Sequence, residues 1–175
     1  MKKLVLVSIL AGLAPFAASA ATATANFTVS LTIQSTCSVT TAPTNVNLGR
    51  VKSTSSADAT GSSTFSVTCS KGTPFNVGLQ TSTDTAGAGN GTGTLVGTGT
   101  NNETIPYALF QDAGFATAWG NTATATTVGN GVAGAANTDG TTARAFTVYV
   151  KALGTNINNK KPDTYKDRVT VNVQY

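Results

Sequence analysis

At both ends of this chain, beyond a short apolar leader, apolar side chains recur at every second position. Asn26 to Gln34 reads Asn-Phe-Thr-Val-Ser-Leu-Thr-Ile-Gln, so Phe27, Val29, Leu31 and Ile33 face one way and Thr28, Ser30 and Thr32 the other. The last stretch sets Tyr165, Asp167, Val169, Val171, Val173 and Tyr175 on one parity. A period of two is the signature of a β-strand with one buried face. No Asn-Gly, Asp-Gly or Gly-Gly turn follows Gln34 within hairpin distance, so the first strand must find its partners far away. Its apolar face needs a groove in its own domain or in another copy, and the final strand stops at the C-terminus with no successor.

The leader itself is expected to be absent from the fold. Lys2 and Lys3 form a basic start, Leu4 to Phe16 an apolar core, and Ala18-Ser19-Ala20 a small-residue cleavage site. That combination describes a secretory signal peptide over residues 1–20, and its apolar run is too short to span a bilayer. The mature chain is expected to begin at Ala21. Removing Lys2 and Lys3 lowers the formal charge from +4 to +2, and no basic cluster beyond Lys160-Lys161 suggests a nucleic-acid surface.

About 155 residues remain, enough for one domain with a core. Only 10% of the residues are charged, while Thr, Ala, Gly and Ser dominate, a composition of strands and turns. Cys37 and Cys69 are the two cysteines, and in an exported chain they most simply form one disulfide. Such a bridge is worth roughly 3–4 kcal/mol on a chain-entropy account. A redox or metal pair is the weaker reading, because the spacing is not CxxC and the chain has no His.

Between the two ends, Asn45 to Lys52 alternates weakly as a strand would and carries Gly49 inside it, the mark of a bulge or of a close backbone approach. Phe65, Val67 and Cys69 share a face, and Lys71-Gly72-Thr73-Pro74 turns into Phe75, Val77 and Leu79, so these two runs read as an antiparallel pair. Thr81 to Glu103 is rich in Gly, Thr and Asn with one apolar beat at Leu95-Val96, and reads as a long surface hairpin or loop. Ile105, Tyr107 and Leu109 resume the alternation, with Pro106 suggesting a sheet edge or the start of a strand. Gly120 to Thr142 reads as loop. Arg144 to Lys151 is a strong strand with Phe146, Val148 and Val150 on one face, and Asn156 to Asp163 forms a polar turn. Six or seven short strands at this spacing predict an all-β sandwich.

Without His, no Ser-His-Asp, Cys-His or imidazole metal site can be built, and the seven acidic residues are scattered. Asp58, Asp84, Glu103, Asp112 and Asp139 sit in or beside polar loops, where turn formation accounts for them better than a catalytic pair. Gly87 to Gly99 lacks the Lys-Ser/Thr ending of a phosphate cradle. The sequence therefore predicts no enzyme, no cofactor and no metal. A β-sandwich that binds carbohydrate or a surface is the second reading, with Trp119, Phe115 and Tyr107 as an aromatic platform. A single Trp beside a strand is more often a core or loop anchor.

Several segments together resemble the spore coat protein U domain family, which includes the major pilins of archaic chaperone–usher pili. They are the leader, the alternating extension, Ser-Thr-Cys-Ser-Val, Val-Asn-Leu-Gly, Phe-Ser-Val-Thr-Cys-Ser-Lys-Gly-Thr-Pro-Phe, Ile-Pro-Tyr-Ala-Leu-Phe-Gln-Asp and the closing Tyr-Lys-Asp-Arg-Val-Thr-Val-Asn-Val-Gln-Tyr. The likeness covers essentially the whole mature chain. One departure is Asp163, two residues before Tyr165, where the family usually has Gly, and it bears on the local turn. The resemblance implies an incomplete immunoglobulin-like sandwich completed by donor-strand complementation, a mode of strand addition. Residues 21–35 would be the donor extension, with Phe27, Val29, Leu31 and Ile33 as its buried face, and 36–175 the pilin domain. Val169, Val171, Val173 and Tyr175 would form the acceptor and chaperone-capture edge. Partners would be other copies of the chain, a periplasmic chaperone and an outer-membrane usher, with passage through the periplasm to a surface pilus serving adhesion and biofilm formation. A secreted coat protein of the same fold is the structural alternative.

Overall fold

The computed structural model describes residues 21–84, 89–137 and 139–175, and the expected signal peptide lies outside them. The chain divides into two units at Ile33 and Gln34. In the first, residues 21–33 carry no regular secondary structure and their side chains are exposed.

The second unit is built from β1 (Cys37–Thr41), β2 (Ala59–Cys69), β3 (Phe75–Thr81), β4 (Thr92–Gly97), β5 (Thr104–Phe110), β6 (Val132–Gly134), β7 (Arg144–Ala152), a four-residue helix α1 (Gly154–Ile157), β8 (Tyr165–Lys166) and β9 (Val169–Gln174). Every pairing is antiparallel. One sheet has the order β1-β2-β7-β5-β4-β8 and the other β6-β3-β9. This is the two-layer sandwich the alternation predicts.

The alternating residues fill the space between the layers. Phe65 and Val67 of β2, Phe146, Val148 and Val150 of β7, and Tyr107 and Leu109 of β5 are buried from one side. Phe75, Val77 and Leu79 of β3 are buried from the other. Phe146 stacks on Phe65 at 5.6 Å and meets the edge of Phe75 in the opposite sheet at 6.0 Å, so the aromatic rings bridge the layers. Each large side chain so buried contributes on the order of 1.5–3 kcal/mol.

Three expectations about pairing are corrected. First, β2 and β3 are not a hairpin. Both edges of β2 are taken by β1 and β7, and those of β3 by β6 and β9, so the turn at 71–74 carries the chain from one sheet to the other. Their apolar faces oppose each other across the core, an arrangement that alternation alone does not distinguish from lateral pairing.

Second, Asn45 to Lys52 is no strand. It is an extended segment in which Val46 and Leu48 pack on the core, with Gly49 at φ +87°. Gly61 on β2 makes room for it, since a Cβ there would stand 2.7 Å from Val46 Cγ1.

Third, the closing run is two strands. β8 joins the six-stranded sheet and β9 the three-stranded one, and the chain crosses between them at Asp167 and Arg168. Elsewhere, β4 pairs with β5 to make the hairpin of the Gly/Thr-rich stretch, and β6 is a short strand within the expected loop. Pro106 lies opposite Thr94, at the start of β5 and before its pairing with β7 begins at Ala108.

Candidate functional site

A two-sheet sandwich has four lateral edges, and here they are β1, β8, β6 and β9. Short strands and bulges blunt an edge against further pairing, and so do charges and Pro. β8 has two residues, β6 has three, and β1 shifts register between Val39 and Thr41. β9 has none of these protections. It is a regular six-residue strand, Val-Thr-Val-Asn-Val-Gln, with no charge and no Pro, paired on one side only along all six positions.

The inward face of this edge is incompletely covered. Val169, Val171 and Val173 lie opposite Thr81, Leu79 and Val77 of β3 and share their face. The β3 side chains are fully buried, whereas Val169 is 37% exposed, Val171 and Val173 are half-buried, and Tyr175 is exposed. β1 repeats the pattern on the other sheet. Val39 lies opposite Val67, which has no exposure, yet is itself 40% exposed.

Hydrogen bonds show which side of the sandwich is sewn together. Trp119 N–H donates to Leu109 O of β5 at 2.8 Å, Leu79 N–H donates to Gly120 O at 2.9 Å, and the Trp119 indole N–H donates to Val77 O at 2.9 Å. This segment ties β5 to β3 on the β6 side. β9 and β1 remain as two valine-bearing edges that lack an outer neighbour among the described residues.

The crossing into β9 is held by polar groups. Asp167 has the inward parity of the valines, and its carboxylate accepts bonds from Tyr107 Oη at 2.7 Å, from Thr83 Oγ1 at 2.9 Å and from the Ser82 hydroxyl. Ser82 N–H donates to Arg168 O at 2.8 Å. Burial, and then the bond to Asp167, push the Tyr107 phenol well above its ordinary pKa, so it stays a donor. These bonds break the alternating run at Asp167. An inward carboxylate in a strand was the signal that could have located the break.

The remaining carboxylates are likewise structural. Asp163 accepts from Thr98 Oγ1 at 2.7 Å, Asn101 Nδ2 at 2.8 Å and Thr98 N at 2.9 Å, which hold its pKa at about 2. The turn at this departure from Gly is thus closed by the carboxylate itself. Asp58 accepts from Gly154 N–H and pairs with Lys151 at 2.9 Å, and both lower its pKa. Backbone N–H groups of Thr117 and Ala116 lower that of Asp112, and the Thr142 hydroxyl and N–H lower that of Asp139. Asp84 accepts from Gly89 N–H and Glu103 from Lys161 N–H. All seven carboxylates therefore act as turn caps or staples.

The aromatic platform of the second reading is not formed by these residues. Trp119 and Tyr107 are buried, while Phe115 is half-buried against Phe110 at 5.5 Å. Trp119 is instead the loop anchor of the stitched side. Cys37 and Cys69 are joined in a disulfide between β1 and β2. Val39 escaped sequence reasoning because Cys37 leads into a Thr- and Pro-containing segment that hides the short alternation Ser-Val-Thr.

In the first unit, Phe27, Val29, Leu31 and Ile33 are between 83% and 87% exposed. Four alternating apolar side chains standing in water mark an interaction surface.

Comparison with known proteins gives a family and a similar fold. The Spore Coat Protein U domain family matches residues 23–172. Among solved structures, the fold is similar to a chain in the crystal structure of the CsuC–CsuE chaperone–tip adhesion subunit pre-assembly complex from archaic chaperone–usher Csu pili of Acinetobacter baumannii. The TM-score is 0.51 at 19% identity, covering 82% of this chain and 41% of that one. The present chain thus spans less than half of that neighbour's length. No curated protein matches.

Proposed function

Because the chain belongs to the Spore Coat Protein U domain family, we propose that it is a non-enzymatic structural subunit of a surface pilus, assembled by strand exchange on the chaperone–usher route. Residues 1–20 direct export, residues 21–35 form the donor extension, and residues 36–175 form the pilin domain. A periplasmic chaperone first covers the β9 edge, the usher passes the subunit outward, and the extension of another copy replaces the chaperone. The mature fibre serves adhesion and biofilm formation.

One observation carries this reading. The chain holds both halves of a strand-exchange contact, an unprotected β9 edge with half-exposed valines and an alternating apolar extension left in water. Phe27, Val29, Leu31 and Ile33 can contribute on the order of 6–12 kcal/mol when buried, before ordering costs, and main-chain bonds along β9 add to this. The carbohydrate-platform alternative loses its main residues, since Trp119 and Tyr107 are buried.

Two variants test the proposal. Deleting residues 21–33 should leave a subunit that accepts a donor but cannot supply one. Fusing a copy of residues 26–34 behind Tyr175 through a flexible linker should supply the missing strand within the molecule at high effective concentration. The fused form is expected to be a monomer melting far above the deleted form. Equal stability of the two monomers would mean that the domain is complete without a donor.

A further inference from the structure

The extension runs on into β1, an edge strand of the second unit, and the residues joining the two decide whether it can fold back on that edge. We propose that the Cys37–Cys69 bridge and the Thr36–Ser70 contact form a clamp that denies the extension the β1 edge of its own molecule and reserves it for another copy. This rests on the strand-exchange reading and adds the device that makes exchange intermolecular.

Folding back would make a hairpin of the extension with β1, and strand parity limits the loop. Cys37 lies opposite the buried Cys69 and so faces inward. Cross-strand partners share a face. Ile33 can therefore point into the core only if it pairs with Cys37, which leaves the three-residue loop Gln34-Ser35-Thr36. A two- or four-residue loop turns the apolar set outward, because a one-residue slip exchanges the faces. A five-residue loop keeps the parity but removes Ile33 from the strand.

The three-residue loop typically needs its last residue in the left-handed region. That residue is Thr36, whose β-branched side chain disfavours such a conformation. The structure also holds it in another state. Ser70 N–H donates to Thr36 O at 2.8 Å, and Thr36 N–H donates to Ser70 Oγ at 3.0 Å, extending the β1–β2 pairing by one residue past the disulfide. Ser70 Oγ is braced in turn by Thr73 Oγ1 at 2.9 Å, and Thr73 is buried. Among the described residues, positive φ outside Gly occurs only at Phe115 and Asn159. The clamp thus closes the one short route that would bury all four apolar residues.

The test uses the oxidised chain from Ala21 to Tyr175, refolded without other proteins. Chromatography with light scattering gives the monomer fraction, and hydrogen exchange shows whether residues 27–33 are protected in that monomer. The wild-type chain should form mainly oligomers. Inserting about eight Gly/Ser residues between Ile33 and Gln34 leaves the folded unit untouched and should raise the monomer fraction roughly tenfold or more, with the extension protected. Ser70→Ala, with the disulfide intact, should raise it several-fold, and the double variant Cys37→Ser/Cys69→Ser further. If the double variant fails to fold, Ser70→Ala and the insertion still decide the matter. The clamp is overturned if the wild-type monomer already protects its extension, or if Ser70→Ala stays as oligomeric as wild type while the insertion turns monomeric. Failure of strand exchange itself gives a different result, with residues 27–33 unprotected in every monomer and oligomer.

Discussion

β7 and β9 carry nearly the same alternation, Phe146, Val148 and Val150 in one and Val169, Val171 and Val173 in the other. Both rows face inward, yet the first is 6–7% exposed while Val169 is 37% exposed and its two companions are half-buried. The side chains do not explain the difference. β7 lies between β2 and β5, whereas β9 has β3 alone. Burial in a sheet requires the facing layer and both lateral neighbours, so the same residues that make a finished core in β7 leave an open edge in β9.

Aspartate substitutions should separate the two strands most sharply. Val148→Asp buries a carboxylate with no escape to water, and the subunit should fail to fold in any state of assembly. Val171→Asp leaves the carboxylate a path to solvent in the lone subunit, so its cost should appear chiefly on assembly, at about 3 kcal/mol or more. Periplasmic accumulation and fibre yield should collapse together. Thr170→Asp, on the outer face opposite Gln80, should change stability by less than about 0.5 kcal/mol. Equal effects of Val171→Asp and Thr170→Asp on fibre yield would place Val171 outside the assembly surface.

A smaller effect is expected from Leu31→Ala. Leu31 is exposed in the single chain, so subunit melting should not move. In the assembled fibre the same change should cost roughly 2–4 kcal/mol, read as faster dissociation in denaturant. A loss of stability in the isolated subunit would mean that Leu31 is already part of its own core.

The smallest effect concerns acid. The Asp163 pKa falls from the ordinary 3.8 to about 2 through its bonds to Thr98 and Asn101. A carboxylate lowered on folding stabilises above its unfolded pKa and loses that contribution as pH falls through the folded one. The melting temperature should therefore drop between about pH 4 and pH 2, and Asp163→Asn should flatten that part of the profile. An unchanged slope in the variant would show that this turn does not contribute.

Sandwich class, the disulfide and the strong strands β2, β3, β5 and β7 were legible because alternation reports which face of a strand is buried. Alternation is silent about lateral neighbours, which is why the turn at 71–74 read as a hairpin and the run from Tyr165 to Tyr175 as one strand. The Asn45 to Lys52 segment shows the same limit from the other side, with apolar residues that pack on the core without entering a ladder. Trp119 was readable as an anchor, but its bonds to β3 and β5, which close one flank, depend on contacts distant in the chain. The open edges were accessible only as two unpartnered ends, and the half-exposure of Val39 and Val169 depends on lateral neighbours that alternation does not report.

Amide hydrogen exchange along Val169–Gln174 tests the central claim most directly. In the subunit lacking residues 21–33, alternate amides of β9 should exchange as freely as exposed backbone, because β3 satisfies only one side of the strand. In the fused form and in fibres, all of them should be protected. Protection of every β9 amide in the deleted subunit would contradict the account, since the edge would then be closed without any donor.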